Sequence, residues 1–213
     1  MYTQSAEANR KSHTNITYFR PQTQLFLILV KHRPFTWIRT QNAQRSLTST
    51  MVYVMEFYVD GGCRGNGRPW AVGAAACVLK TRSGSSISQT LRLPRDEDIP
   101  TNQRAEITAI IMALEWALEK YEELNSYPRL VLRIHSDSRY AIGCMDNWIY
   151  KWARNGWQNA AGYEVANRDL IEKASDLDDK VKELGSVDYI WVPRSENEEA
   201  DELCNDMLDE LEY

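Results

Sequence analysis

The chain has no long hydrophobic run. No unbroken apolar stretch is longer than Leu25–Val30, far short of the roughly 18 residues that span a bilayer. Leu25–Val30 is also shorter than the ~7–15-residue core of a secretory signal, so neither a membrane span nor a secretory leader is expected. Cysteine is sparse and scattered, at Cys63, Cys77, Cys144 and Cys204, without a C-x-x-C pair. That spacing argues against a structural zinc site and a disulfide framework, and it suits a reducing, intracellular compartment. Positive charge is thin over residues 51–213, where 18 basic side chains face 29 acidic ones, giving −11. Polyanions are drawn to basic surface, so that stretch is no generic phosphate binder. A nucleic-acid partner would need a local site, with metal ions supplying positive charge. Acids are missing from the other end: residues 1–50 hold Glu7 alone against seven Lys/Arg, giving +6.

Composition changes at Met51. Residues 1–50 are rich in Gln, Thr, Ser, Asn and Arg, with no sustained helical or strand period. Arg-rich, acid-poor composition is that of a mitochondrial transit peptide. A disordered basic extension, or a leader upstream of a true start at Met51, fits equally. A nuclear, cytoplasmic or mitochondrial location therefore stays open. Residues 51–213 are expected to form one folded domain.

Within that domain, Val52–Asp60 and Trp70–Lys80 are predicted strands separated by a glycine-rich turn over Gly61–Gly67. Ser86–Leu93 is a third, more polar strand. Thr101 or Asn102 can cap a helix whose Ile107, Ile110, Ile111, Leu114 and Leu118 recur at helical spacing. Leu130–Ser136 is predicted as a strand ending at Asp137, with a helix following through Ala141–Trp148. A helix over Asn167–Leu184, a strand over Val187–Val192 and a helix over Asn197–Leu211 complete the pattern. Three strands in meander, then strands alternating with helices, indicate an α/β domain with a mixed five-stranded central sheet flanked by helices.

Four acids occupy element ends. Asp60 and Asp137 close predicted strands, where ligands of α/β sheets commonly sit. Glu106 and Asp201 fall in the first turns of predicted helices, where the dipole favours negative charge whether or not chemistry is intended. Each alone has a structural explanation. Their surroundings make them a set. Tyr58-Val59-Asp60-Gly61-Gly62 with Gly65-Asn66-Gly67, Thr101-Asn102-Gln103-Arg104-Ala105-Glu106, His135-Ser136-Asp137-Ser138 and Asn197-Glu198-Glu199-Ala200-Asp201 resemble, in order, the four motifs of the type 1 ribonuclease H family. Asn147-Trp148, Trp152, Asn155-Gly156-Trp157 and Asn167 are similar to the family's substrate-handling segment.

The resemblance implies a ribonuclease H-like fold and an endonuclease that cleaves the RNA strand of RNA–DNA hybrids to 5′-phosphate and 3′-hydroxyl products. Clustered carboxylates stay ionised together only with cations between them, and hard oxygen ligands select Mg²⁺ or Mn²⁺. Two such ions can activate water and stabilise the leaving oxygen. By resemblance, Asp60 bridges both ions, Asp201 completes the water-activating site, and Glu106 and Asp137 serve the other ion. Asn66, Asn102 and Gln103 match positions that probe the minor groove. Thr101 and Asn167 match a pocket for a DNA phosphate, and Tyr140, Trp148 and Trp152 match the channel for the DNA strand. A monomer is expected.

Two departures stand out. Ile99 replaces a basic residue expected in the phosphate pocket. The family's histidine loop is cut to Arg194-Ser195-Glu196 and holds no histidine, which leaves Arg194 as a candidate to stabilise the scissile phosphate. His135 is the nearest other histidine, inside a predicted strand. An alternative is therefore a hybrid-binding module with weak or lost catalysis, although the complete carboxylate set favours an enzyme. An exonuclease of the wider superfamily is disfavoured by the T-N-Q-R-A-E and N-G-W segments.

Overall fold

The computed structural model describes residues 51–94 and 98–210; the expectations for residues 1–50, and the end of the last predicted helix at Leu211, lie outside the described residues. Five strands form one sheet in the order β3-β2-β1-β4-β5. They are β1 (Val52–Arg64), β2 (Val72–Lys80), β3 (Ser86–Arg92), β4 (Arg129–Ser136) and β5 (Gly185–Trp191). The β1, β2 and β3 strands pair antiparallel, whereas β4 and β5 join in parallel. The sheet is mixed, as the pattern predicts.

Alternation along β1 sends Met55, Phe57 and Val59 into the core and leaves Glu56, Tyr58 and Asp60 on the other face. Helix α1 (Asn102–Glu122) covers the first face. Its buried stripe combines Ile107, Ile110, Ile111 and Leu114 with Ala105, Ala109, Ala113 and Ala117, and the small residues let the helix lie close to the sheet. Phe57 meets Trp116 with ring centroids 5.4 Å apart. Thr101 is the cap: its hydroxyl accepts the Arg104 backbone N–H at 3.2 Å. Arg104 then donates to both oxygens of Asp169, at 3.0 and 2.7 Å, tying α1 to α4 (Arg168–Leu184). On the opposite face, α5 (Glu198–Glu210) packs Cys204 and Leu208 against Val72, Ala74 and Ala76. Among the described residues no helix is long and apolar enough to cross a membrane.

Three elements differ from expectation. First, β1 does not end at Asp60. It continues through Gly61 and Gly62 to Arg64, paired with Ala75 back to Val72, because antiparallel pairing uses backbone groups and needs no side chain. The turn shrinks to Gly65–Trp70 and β2 begins at Val72, not Trp70. Second, the helix after Asp137 is broken into α2 (Arg139–Gly143), a π turn (Cys144–Trp148) and α3 (Ile149–Asn155). Third, β5 starts at Gly185, earlier than Val187, since it pairs with Leu130 from that residue.

Gly61 carries a requirement beyond turn formation. A Cβ there would lie 2.2 Å from both the Ala105 carbonyl carbon and the Glu106 nitrogen. Those are backbone atoms, so no rotamer change relieves the clash. Gly61→Ala is expected to destabilise the fold by about 3 kcal/mol, the upper range for overpacking, read as a lowered urea midpoint. An unchanged midpoint would show that β1 and α1 do not approach this closely.

Candidate active site

The site lies where β1 outruns β4. Parallel pairing of the two strands stops at Tyr58 opposite His135, so Asp60 and Asp137 both fall just past the last pair. The Gly61 contact brings α1 against β1 at Ala105–Glu106. One carboxylate oxygen from each of Asp60, Glu106 and Asp137 lies within 4.8 Å of the others. Asp201, on the first turn of α5, lines the same cleft of about 340 Å³ but stands outside that group. Its carboxylate is bonded instead to Arg194. Asp60 is thus a residue within a strand, not at its end.

Burial and mutual repulsion set the electrostatics. Burial, and then repulsion from Asp137 and Asp201, raises the Asp60 carboxyl to about 6, against the opposing Cys204 thiol and Arg194. Burial pushes Glu106 further, up to about 9, with Asp60 and Asp137 contributing and the Gly61 backbone N–H and Arg194 pulling down. One Glu106 oxygen, Oε2, is buried without a hydrogen-bond partner. Three clustered carboxylates, one with a buried oxygen that has no partner, are a hard-oxygen donor set that fits a divalent cation.

Neighbours that the motifs did not single out hold these acids in place. Asn197 is 1% exposed. Its amide donates to the Val59 carbonyl at 3.0 Å and reaches an Asp137 carboxylate oxygen at 3.5 Å. Its backbone carbonyl accepts the Asp201 N–H at 3.1 Å. This one residue therefore links, through side chain and backbone together, the stretches that carry three of the acids. Trp191 donates from its indole to the Asp137 carbonyl at 2.9 Å. Asn197 lies inside the fourth motif, but nothing in its spacing marked it out; only its burial does.

His135 is not available to the cleft. Its ring stacks on Tyr58 at 4.4 Å, and Nε2 pairs with Glu56 at 3.0 Å. The expected substrate contacts fall into two groups. Asn66, Thr101, Asn102 and Gln103 gather at the start of α1, where the Asn66 side-chain oxygen accepts the Asn102 backbone N–H at 2.8 Å. Asn102 lines the cleft. Tyr140, Trp148 and Trp152 form a row with centroid spacings of 6.1 and 5.8 Å, and Trp157 extends it at 6.3 Å. Asn167 donates to the Tyr140 hydroxyl at 3.0 Å, while the Thr101 hydroxyl serves as the α1 cap.

The RNase H family profile matches residues 53–209, and so spans every one of these acids. The chain belongs to the ribonuclease H family. It is 36% identical over 160 residues to the Neisseria gonorrhoeae protein named Ribonuclease H, covering 73% of this chain and 94% of that one. Its fold matches the crystal structure of LC9-RNase H1, described as a type 1 RNase H with the type 2 active-site motif. That match has a TM-score of 0.54 at 24% identity, covering 70% of this chain and 69% of the other. It also matches a foamy viral protease-reverse transcriptase in complex with RNA/DNA hybrid, at TM-score 0.57 and 18% identity, covering 84% of this chain and 23% of that one.

For this ribonuclease H the raised carboxyls have a consequence for stability. Asp60 and Glu106 bind protons more tightly folded than unfolded. Without metal, the folded state therefore loses stability as pH rises from the ordinary carboxylate range through about 6 and on towards about 9. A bound cation favours the ionised forms and offsets that loss. Calorimetry should show a metal-free Tm that falls over this window and a Mg²⁺-induced rise in Tm that grows over it. A Mg²⁺ effect independent of pH would mean that these carboxyls do not hold the ion.

Proposed function

We propose that the cleft hydrolyses the RNA strand of RNA–DNA hybrids with Asp60, Glu106, Asp137 and Asp201 as its metal-holding residues. The observation that carries this is the convergence of three carboxylate oxygens within 4.8 Å, one of them on the Glu106 carboxylate whose Oε2 is buried without a partner. Membership of the family supports it. So does the foamy viral relative of this fold, which is described in complex with an RNA/DNA hybrid. The ions are proposed to be two Mg²⁺, with Mn²⁺ able to replace them. When bound, they supply Lewis acidity that lowers the pKa of water and neutralises the leaving oxygen. Cleavage leaving 5′-phosphate and 3′-hydroxyl ends follows from that assignment.

The chain's own residues position the substrate. Asn66, Asn102 and Gln103 present amides at the start of α1, and an amide can both donate to and accept from a 2′-hydroxyl. That property suits recognition of the RNA strand. The Tyr140–Trp148–Trp152 row offers apolar faces for the sugars of the DNA strand, with Asn167 and Thr101 near a phosphate of that strand. Ile99, half exposed, adds no charge there. Arg194 lines the cleft and supplies a cation for the scissile phosphate where the family's histidine is missing. A binding module without catalysis is the weaker reading, because four intact acids around one cleft are costly to keep without a use.

Asp60→Asn and Asp137→Asn should each abolish hydrolysis of a labelled hybrid while preserving the far-UV spectrum, since removing a charge relieves crowding. Wild-type protein should cut the hybrid but neither duplex DNA nor duplex RNA. Near wild-type cleavage by either variant would defeat the assignment. Arg194→Ala should lower kcat by roughly 10²–10³, the usual loss for one transition-state contact, with little change in KM. An unchanged kcat at saturating hybrid would remove Arg194 from the chemistry and leave the acids standing.

A further inference from the structure

The four acids are not equivalent in this chain. Asp60, Glu106 and Asp137 crowd together, and among the described residues none of the three forms an ion pair. Asp201, by contrast, is held by a protein cation, through the Arg194 guanidinium. The local chain enforces that pairing. Arg194 opens the short turn Arg194–Glu196, its carbonyl accepts the Asn197 N–H at 3.0 Å, and the Asn197 carbonyl accepts the Asp201 N–H at 3.1 Å. With the usual loop cut to three residues, the guanidinium is delivered to the mouth of the cleft. It acts there on Asp60 and Asp137 as well as Asp201. Arg194 is 69% exposed against 21% for Asp201, so the arginine can swing into solvent while the aspartate stays in place.

A cation at the carboxylate that is to hold a second metal must either coexist with that metal or give way to it. Coexistence is unfavourable: the divalent ion and the guanidinium would share one carboxylate, and like charges repel at that range. We infer that Arg194 is a built-in counter-cation that occupies Asp201 until a divalent ion displaces it. The two metal positions therefore differ in affinity by construction. This inference rests on the metal-holding role proposed above. It also gives Arg194 a course of action: the second ion frees the guanidinium at the moment the scissile phosphate needs a cation nearby.

The test measures metal binding by the full chain, without hybrid and without turnover. Mn²⁺ is titrated into wild-type protein, followed by calorimetry and by loss of the free-ion electron paramagnetic resonance signal. Wild type should show one tighter and one weaker class of site. Arg194→Ala should tighten the weaker class by about fivefold, the shift expected when one part-exposed ion pair no longer has to be broken, and leave the tighter class within about twofold. Arg194→Lys, which keeps the charge, should stay near wild type. Arg64→Ala serves as the control: Arg64 also lines the cleft but is bonded to Asp209, so neither class should move. If Arg194→Ala leaves the weaker class unchanged, or tightens both classes alike, displacement is wrong. If Arg64→Ala matches Arg194→Ala, bulk charge explains the effect and the inference also falls. Wild-type protein that binds no Mn²⁺, or Asp60→Asn that binds it undiminished, would instead overturn the metal-holding role itself.

Discussion

Crowding of three carboxylates, Asp60 buried and Glu106 and Asp137 half-buried, is the constraint around which this site is built. Asp60, Glu106 and Asp137 meet in one small space, where burial first and mutual repulsion second raise the Asp60 carboxyl to about 6 and that of Glu106 to about 9. A fold tolerates such a cluster only if the backbone carrying it cannot relax. The rigidity comes from the centre of the sheet. β1 is paired on both sides, α1 is pressed onto it through Gly61, and Asn197 links Val59, Asp137 and the start of α5. The strain is electrostatic, and a divalent cation at the proposed site would relieve it.

The same constraint explains how so acidic a chain can have a polyanionic substrate. Residues 51–213 carry −11, and a broad basic surface is not there to attract phosphate. Attraction has to be local. In the proposed reading, cations held by the acids supply it at the point of cleavage, and the aromatic row Tyr140–Trp148–Trp152–Trp157 offers uncharged contact beside it. Arg168 lies 5.2 Å above the last ring of that row, the kind of cation–aromatic pairing that holds a ring face in position.

The shortened loop before α5 changes the division of labour at the cleft. A histidine has no counterpart there, and His135 is committed to Tyr58 and Glu56 on another part of the sheet. Arg194 takes the available position. Unlike a histidine it stays charged at every physiological pH, so it interacts permanently with the acids around it. In the roles proposed for Arg194, that permanence ties substrate chemistry and metal loading to one side chain, a coupling that a neutral imidazole would not create.

Much of the fold is legible in the sequence because local rules govern it. Alternation in Met55, Phe57 and Val59 and helical spacing in Ile107, Ile110, Ile111 and Leu114 depend only on which side chains must leave water. The identity of the four acids, and the family, are likewise carried by short motifs. What the local pattern misread was Gly61–Gly62, taken as a turn, because glycine favours turns on its own and extends a strand only when a neighbouring strand supplies the hydrogen bonds. The geometry of the site was decided by tertiary structure alone. Whether Asp201 joins the other three or pairs with Arg194, and whether Asn197 is surface or centre, depend on distances between segments up to 138 residues apart. Those distances are set by how closely backbones can approach, as at Gly61 against Ala105, and no periodicity within one segment encodes them.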